Sequence, residues 1–330
     1  MKRTDPEMVG KYQKDDEEES FLERLNASLR SFDQSLHVND SSDHPSVYVF
    51  GVPRSGTTLL YQSIAAHLPV DYISNLTAAF WEAPVVGLKL SKKLLDSERP
   101  TEINSHYGQT KVPAGAHEFG YFWAKHLRYS SLREPTDDDR NSVDWASLRL
   151  TISRMSQVNL RPIAFKPLMA GWYAERMQAE IPKSIFVWIR RDRIQNAMSI
   201  FQMRREMLGS EDKWMSLIPC AYDQLKKLPA WDQVAGQVWH IENGFQQQFD
   251  RLSDDRKLCV QYEDFCSDPA TTIKEISGLL ERQGARLENI EMMPMALQAN
   301  KRDANSDPIY GKVAEAFERL DQTPFGHGLA

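Results

Sequence analysis

Residues 47–60 read Val-Tyr-Val-Phe-Gly-Val-Pro-Arg-Ser-Gly-Thr-Thr-Leu-Leu. Four strand-forming residues run into a turn carrying Gly51, Pro53, Arg54, Ser55 and Gly56, and Thr57 and Thr58 then lead an apolar run. That order dictates a strand, a tight turn and the start of a helix. Such a turn presents consecutive backbone N–H groups at the positive end of a helix, where an anionic oxygen can be held.

The spacing Gly51-x-x-x-x-Gly56 matches that of the phosphate loops that bind ATP, yet Thr57 stands where those loops carry lysine. The cation, Arg54, comes three positions earlier. The loop therefore suits a phosphate or a sulfonate without the lysine that reaches a β/γ-phosphate pair.

The rest of the chain gives this unit a context. Short apolar strands are expected at 47–51, 70–73, 162–166, 184–190 and 257–262. Helical stretches are expected at 57–67, 143–158, 171–180, 193–208, 231–250 and 269–283. The alternation predicts an α/β fold, a central parallel sheet flanked by helices on both faces. Ligands on such sheets bind at the carboxyl ends of the strands. Arg54, Lys166, Arg191 and Tyr262 all fall at those ends, far apart in sequence but on one rim.

Ahead of this body, residues 1–45 form an acidic arm, and 46–330 read as one domain. The arm holds six Lys/Arg against eleven Asp/Glu, five of the chain's six net negative charges. The nearly neutral body gives no electrostatic basis for nucleic-acid binding. Phe21, Leu25, Leu29, Phe32 and Leu36 recur at helical spacing and form one apolar stripe. That stripe must dock on its own domain or pair with a second copy as a homodimer. Cys220, Cys259 and Cys266 have no metal-type spacing and read as reduced thiols. No apolar run approaches the ~20 residues of a membrane span, and the start lacks an apolar signal core. These features point to a cytoplasmic protein.

Pro53-Arg54-Ser55-Gly56-Thr57-Thr58 resembles the 5′-phosphosulfate loop of sulfotransferases that use 3′-phosphoadenosine 5′-phosphosulfate (PAPS). A second stretch, Ile185 to Asp192 followed by Ser199, is similar to the family's strand ending in arginine with a serine eight residues on. In the family that pair grips the 3′-phosphate. Arg193 replaces the proline common after Arg-Asp, and Arg190 takes the ligand role if the register slips by one. A third stretch, Tyr262-Glu263-Asp264 with Asp268-Pro269, resembles the strand end whose tyrosine lies near the adenine. Together these motifs span most of 47–283. The resemblance implies a P-loop-like sulfotransferase fold, PAPS as donor, adenosine 3′,5′-bisphosphate as product, and no metal. By this resemblance Arg54, Ser55, Gly56, Thr57, Thr58, Arg191, Ser199 and Tyr262 bind the cofactor. Lys301 and Arg302 are candidates for the late basic loop that covers the 3′-phosphate.

The catalytic base is less directly marked. Lys166 resembles the family lysine that meets the transferred sulfonate. The small-molecule branch has a catalytic histidine two residues later, where this chain has Leu168. Carbohydrate and tyrosyl-protein sulfotransferases use a glutamate instead, and this chain resembles that type more. Glu118 stands beside Phe119, Phe122 and Trp123, a setting that would desolvate a carboxylate and raise its pKa toward a useful range. His117 is the alternative and Glu82 a third candidate. Trp81, Phe119, Tyr121, Trp123 and Trp172 suit either an aromatic-lined acceptor pocket or a core. The implied reaction transfers a sulfonate to a hydroxyl of a sugar, lipid or other small molecule. The competing readings are an ATP-dependent kinase of P-loop architecture and a non-catalytic nucleotide-binding assembly protein.

Overall fold

The computed structural model describes residues 15–36, 44–95, 112–287, 297–301 and 307–322. The chain opens with α1 (Asp16–Ser35), β1 (Ser46–Phe50), α2 (Thr57–His67) and β2 (Asp71–Tyr72). Helices α3 (Asn75–Ala78), α4 (Pro84–Leu95), α5 (Gly120–His126), α6 (Asp137–Ser142) and α7 (Trp145–Ser156) then lead to β3 (Ile163–Phe165). Next come α8 (Ala170–Glu180), β4 (Ser184–Arg190), α9 (Arg193–Leu208), α10 (Tyr222–Leu225) and α11 (Ala230–Asp250). The order closes with β5 (Lys257–Gln261), α12 (Tyr262–Ser267), α13 (Pro269–Arg282) and α14 (Pro308–Asp321).

The five strands form one parallel sheet in the order β2-β3-β1-β4-β5. All five residues of β1 are buried, as the central strand of a sheet covered on both faces must be. Its side chains alternate between two cores. Tyr48 and Phe50 face an aromatic layer, where Tyr48 stacks on Phe165 at 5.5 Å and on Phe186 at 5.1 Å, and Phe50 lies parallel to Trp188 at 6.1 Å. Val47 and Val49 face an aliphatic layer with Ile185, Val187 and Ile189, closed by Leu60 and Ile64 of α2 and Ile273 and Ile276 of α13. Helices α8 and α11 cover the aromatic side. The parallel sheet predicted from the alternation of apolar segments is the architecture observed.

The arm departs from expectation in its seating. Phe21 and Phe32 of the predicted stripe are 56% and 54% exposed, whereas Asn26 and Asp33 are buried. The docked face is rotated by about one residue, so that Leu22 and Leu36 pack on the core beside two polar side chains. The cause is backbone satisfaction. Asn26 donates to the Ala79 carbonyl at 2.7 Å and accepts the Glu82 N–H at 2.8 Å. Asp33 accepts the Val86 N–H at 2.8 Å, supplying from α1 an acceptor for the exposed amides that begin α4. Arg30 pairs with Glu82, and Arg154 of α7 binds the Asp33 carbonyl. An apolar face there would leave these backbone groups buried without partners.

Candidate active site

The turn after β1 is held in a conformation few residues adopt. Arg54 has φ 71° and Gly56 has φ 103°. Gly51 is required by close approach, since a Cβ there would sit 2.4 Å from Ser55 Oγ and 2.5 Å from the Ile189 carbonyl. Gly56 caps α2 with no side-chain hydrogen bond. The opening amides of α2 have no carbonyl one turn back within the helix, so they face the mouth of the turn. Ser55 is fully buried, and its hydroxyl has no partner among the described residues.

Residues after β4, on α9 and at the start of α12 close around this turn. Arg54 Nε donates to Ser199 Oγ at 3.3 Å. Arg191 Nη1 donates to the Arg54 carbonyl at 3.1 Å, and its guanidinium lies 4.7 Å over the Tyr262 ring. Arg191 Nη2 bonds the Asn300 carbonyl, while its buried Nε has no acceptor among the described residues. Burial holds this guanidinium below the ordinary arginine value despite the nearby Tyr262 and Glu263. The Tyr262 ring lies against Gly56, and its phenol accepts the Asn300 N–H at 3.4 Å. Arg190, the alternative by one residue, faces elsewhere. It pairs with Glu242 at 2.9 Å and covers Trp188 at 4.7 Å. Lys301 is exposed, next to Asn300, and Arg302 lies outside the described residues.

The other wall comes from β3 and the stretch before α5. Tyr61 of α2 donates to the Ala164 carbonyl at 3.1 Å, which fixes α2 against the end of β3. Lys166 follows, 3% exposed. Its ammonium donates to Thr58 Oγ1 at 2.8 Å and to Glu118 Oε1 at 2.6 Å. One cation thus joins the turn after β1 to a carboxylate that is 35% exposed. The expectation that Glu118 rests among Phe119, Phe122 and Trp123 is corrected. Phe119 stacks on Phe122 at 4.6 Å and all three rings turn into the core, so the carboxylate meets Lys166 instead. His117 is exposed, and its Nδ1 accepts the Phe119 N–H at 2.9 Å beside the start of α5.

Glu82 is not brought to this cluster. It pairs with Arg30 and, at 3.4 Å, with Lys125, and these cations outweigh its burial to hold it below the usual carboxylate range. Trp81, Phe119, Trp123 and Trp172 are core residues, at most 4% exposed. Tyr121 is tied to Glu19 of α1 at 2.6 Å. The four buried rings of that set are therefore packing, and Tyr121 is half-buried beside Trp81.

Three residues at the site carried no sequence signal of their own. Asn196 reaches Pro53 from α9, Asn300 reaches Arg191, and Tyr129 lies near Glu118. Burial, and next the Glu118 charge, push the Tyr129 phenol above its ordinary value. Each acts through a contact distant in sequence. Among the described residues no group of three or more His, Cys, Asp or Glu side chains could hold a metal ion.

No curated protein matches the chain. Among solved structures, the fold is similar to a sulfotransferase from Mycobacterium avium. The two share 14% identity over 85% of this chain and 77% of that one, with a TM-score of 0.50. A sulfotransferase from Mycobacterium tuberculosis aligns at 16% identity over 81% and 76%, with a TM-score of 0.49. The profile of the sulfotransferase family matches residues 45–283, which runs from β1 through α13 and takes in the turn, Lys166, Arg191 and Tyr262; the chain belongs to that family.

Proposed function

We propose that this sulfotransferase takes its sulfonate from PAPS and passes it to a hydroxyl of a small-molecule or glycan acceptor, in the cytoplasm, with Glu118 as the base. The observation that carries the reading is the Thr58–Lys166–Glu118 chain of contacts at the edge of the turn. It sets a cation and a base side by side where a donor sulfonate and an acceptor oxygen would have to meet.

The residues present fit an adenosine phosphosulfate. Ser55 Oγ and Arg191 Nε are both buried donors without an acceptor among the described residues, the complement of a ligand rich in anionic oxygens. The turn and the first amides of α2, with Ser55, Gly56, Thr57 and Thr58, would hold the 5′-phosphosulfate. Arg191 and Ser199 would hold the 3′-phosphate, with Tyr262 beside the adenine. Lys301 and Arg302 keep the same assignment on family resemblance alone. The bound donor supplies an activated sulfonate on a good leaving group.

The protein supplies charge and proton handling. Arg54 and Lys166 would supply positive charge to the oxygens on which negative charge develops. Glu118 takes the acceptor proton. On doing so it loses its charge and its grip on Lys166 Nζ, and the ammonium is released toward the transferring group. His117 has its Nδ1 committed to the Phe119 amide, which suits a supporting role. Glu82 is engaged with α1.

Thermal unfolding with adenosine 3′,5′-bisphosphate against ATP plus magnesium tests the donor class, and a screen of acceptors with radiolabelled PAPS tests the reaction. Stabilisation by the bisphosphate alone is expected. Preference for ATP would reject the reading.

A further inference from the structure

The turn is held in place from outside by groups on one short segment. Arg191 holds the Arg54 carbonyl, and Ser199 accepts from the Arg54 side chain. Between them lies Asn196, 2% exposed, whose Nδ2 donates to the Pro53 carbonyl at 2.6 Å. Asn196 and Ser199 are three residues apart, so they share one face of α9. That face is aimed at the turn because Asp192 caps the helix, its side chain accepting the Gln195 N–H at 2.9 Å and its carbonyl the Asn196 N–H at 2.8 Å.

We propose that Asn196 is a positioning residue for the 5′-anion seat: it pins the Pro53–Arg54 peptide plane and so keeps Arg54 in its left-handed conformation. This rests on the reading of the turn as the 5′-phosphosulfate site. In a planar trans peptide the carbonyl and the following N–H point in opposite directions. Anchoring the Pro53 oxygen to α9 therefore turns the Arg54 N–H away from α9. It also fixes the entry to a residue at φ 71°, where an arginine does not stay without support. A buried amide is suited to the task. It offers a strong donor with no charge, so it holds a carbonyl without competing for the ligand's anionic oxygens.

Removal of this bond frees the plane, and the competent turn becomes one of several conformers. Apparent affinity then falls in proportion to its population, by about tenfold for one lost buried hydrogen bond. The loss is largest for ligands that use the 5′ seat, which separates positioning from a general weakening of the fold.

The test is calorimetric titration of the full chain, wild type and Asn196→Ala, with adenosine 3′,5′-bisphosphate, 5′-AMP and 3′-AMP. About a tenfold loss is expected for the bisphosphate and for 5′-AMP, with a clearly smaller loss for 3′-AMP, whose candidate ligands Arg191 and Ser199 touch the turn only through Arg54. Asn196→Asp, which sets a carboxylate against the Pro53 carbonyl, is expected to lose more than Asn196→Ala. Should Asn196→Ala not fold, Asn196→Ser, polar but too short to reach Pro53, carries the same expectation. An equal loss for all three ligands, or no loss, overturns the inference. A wild-type protein that binds none of them removes the reading of the site itself, a result distinct from either.

Discussion

Substitution of Gly56 by alanine should damage the site in two separable ways. A Cβ at φ 103° is strained whatever surrounds it, at roughly 1–3 kcal/mol. The same Cβ would also lie 2.4 Å from Tyr262 Cδ2 and 2.9 Å from Cε2. Carbon atoms settle at about 3.5–4.0 Å, so the ring must retreat by roughly an ångström. Tyr262 is only 7% exposed and is fixed by Asn300 on one side and by the Arg191 guanidinium on its face, so retreat is an overpacking cost of about 1–3 kcal/mol. Together the two come to roughly 2–6 kcal/mol. A double-mutant cycle with Tyr262→Ala separates them by denaturant unfolding of the four proteins. Without the ring, Gly56→Ala should cost only the conformational part, a coupling of about 1–3 kcal/mol. Additivity within about 0.5 kcal/mol would refute the contact, and a neutral Gly56→Ala would refute the left-handed turn.

Glu118→Gln should lower turnover by about 10²–10⁴-fold with bisphosphate affinity retained, as expected for loss of a general base; an unchanged rate in a PAPS assay would exclude Glu118 from proton transfer. Arg54→Ala should depress turnover by about 10²-fold or more, since its charge opposes that developing in transfer, and a near-normal rate would remove it from the mechanism. Asp33→Ala should destabilise the fold by about 0.5–2 kcal/mol through loss of the acceptor at the start of α4; an unaltered melting temperature would show that α1 is dispensable there. Burial depresses His126 and His240 to about 4, aided at His126 by Lys125. The unfolded chain binds those protons near 6.5, so it is the more protonated state between the two values. Stability should therefore fall on acidification, by roughly 2 kcal/mol per histidine at pH 5. The double variant His126→Phe/His240→Phe should flatten the melting profile between pH 7 and 5, and parallel profiles would contradict this.

The sheet was legible because its signals are local. Expected and observed bounds coincide for β4 at 184–190 and for α2 and α9 at 57–67 and 193–208; β4 is a nearly continuous apolar run, and both helices begin straight after a marked boundary, α2 at Gly56 and α9 at Asp192. Strand β5 stops one residue short of expectation because Tyr262 already begins α12. Helices α4 and α5 were not anticipated, and each starts on a non-local or conformational device. The first amides of α4 are met by Asp33, some fifty residues earlier, and α5 follows Phe119 at φ 58°. The seating of α1 failed for a related reason. Hydrophobic periodicity locates an apolar stripe, but the demand for acceptors and donors at Ala79, Glu82 and Val86 decided which face turned inward.

The site divides along the same line. The turn and Arg191 were readable because a short segment carries both the residues and the geometry. The partner of Glu118 was not, because sequence proximity pointed to Phe119 and Phe122, which belong to the core. A carboxylate at the mouth of the sheet pairs with the cation that the fold brings to it, and here the sheet supplies that cation. Strand β3 lies next to β1, so the residue after its end reaches the first turn of the helix that follows β1. Lys166 is buried there, and a buried ammonium demands a counter-charge. Glu118 meets that demand, 48 residues away in sequence and 2.6 Å away in space. The Lys166–Glu118 pairing is thus a consequence of strand order: placing β3 elsewhere in the sheet would leave Lys166 without Thr58, and Glu118 without the cation that ties it to the turn.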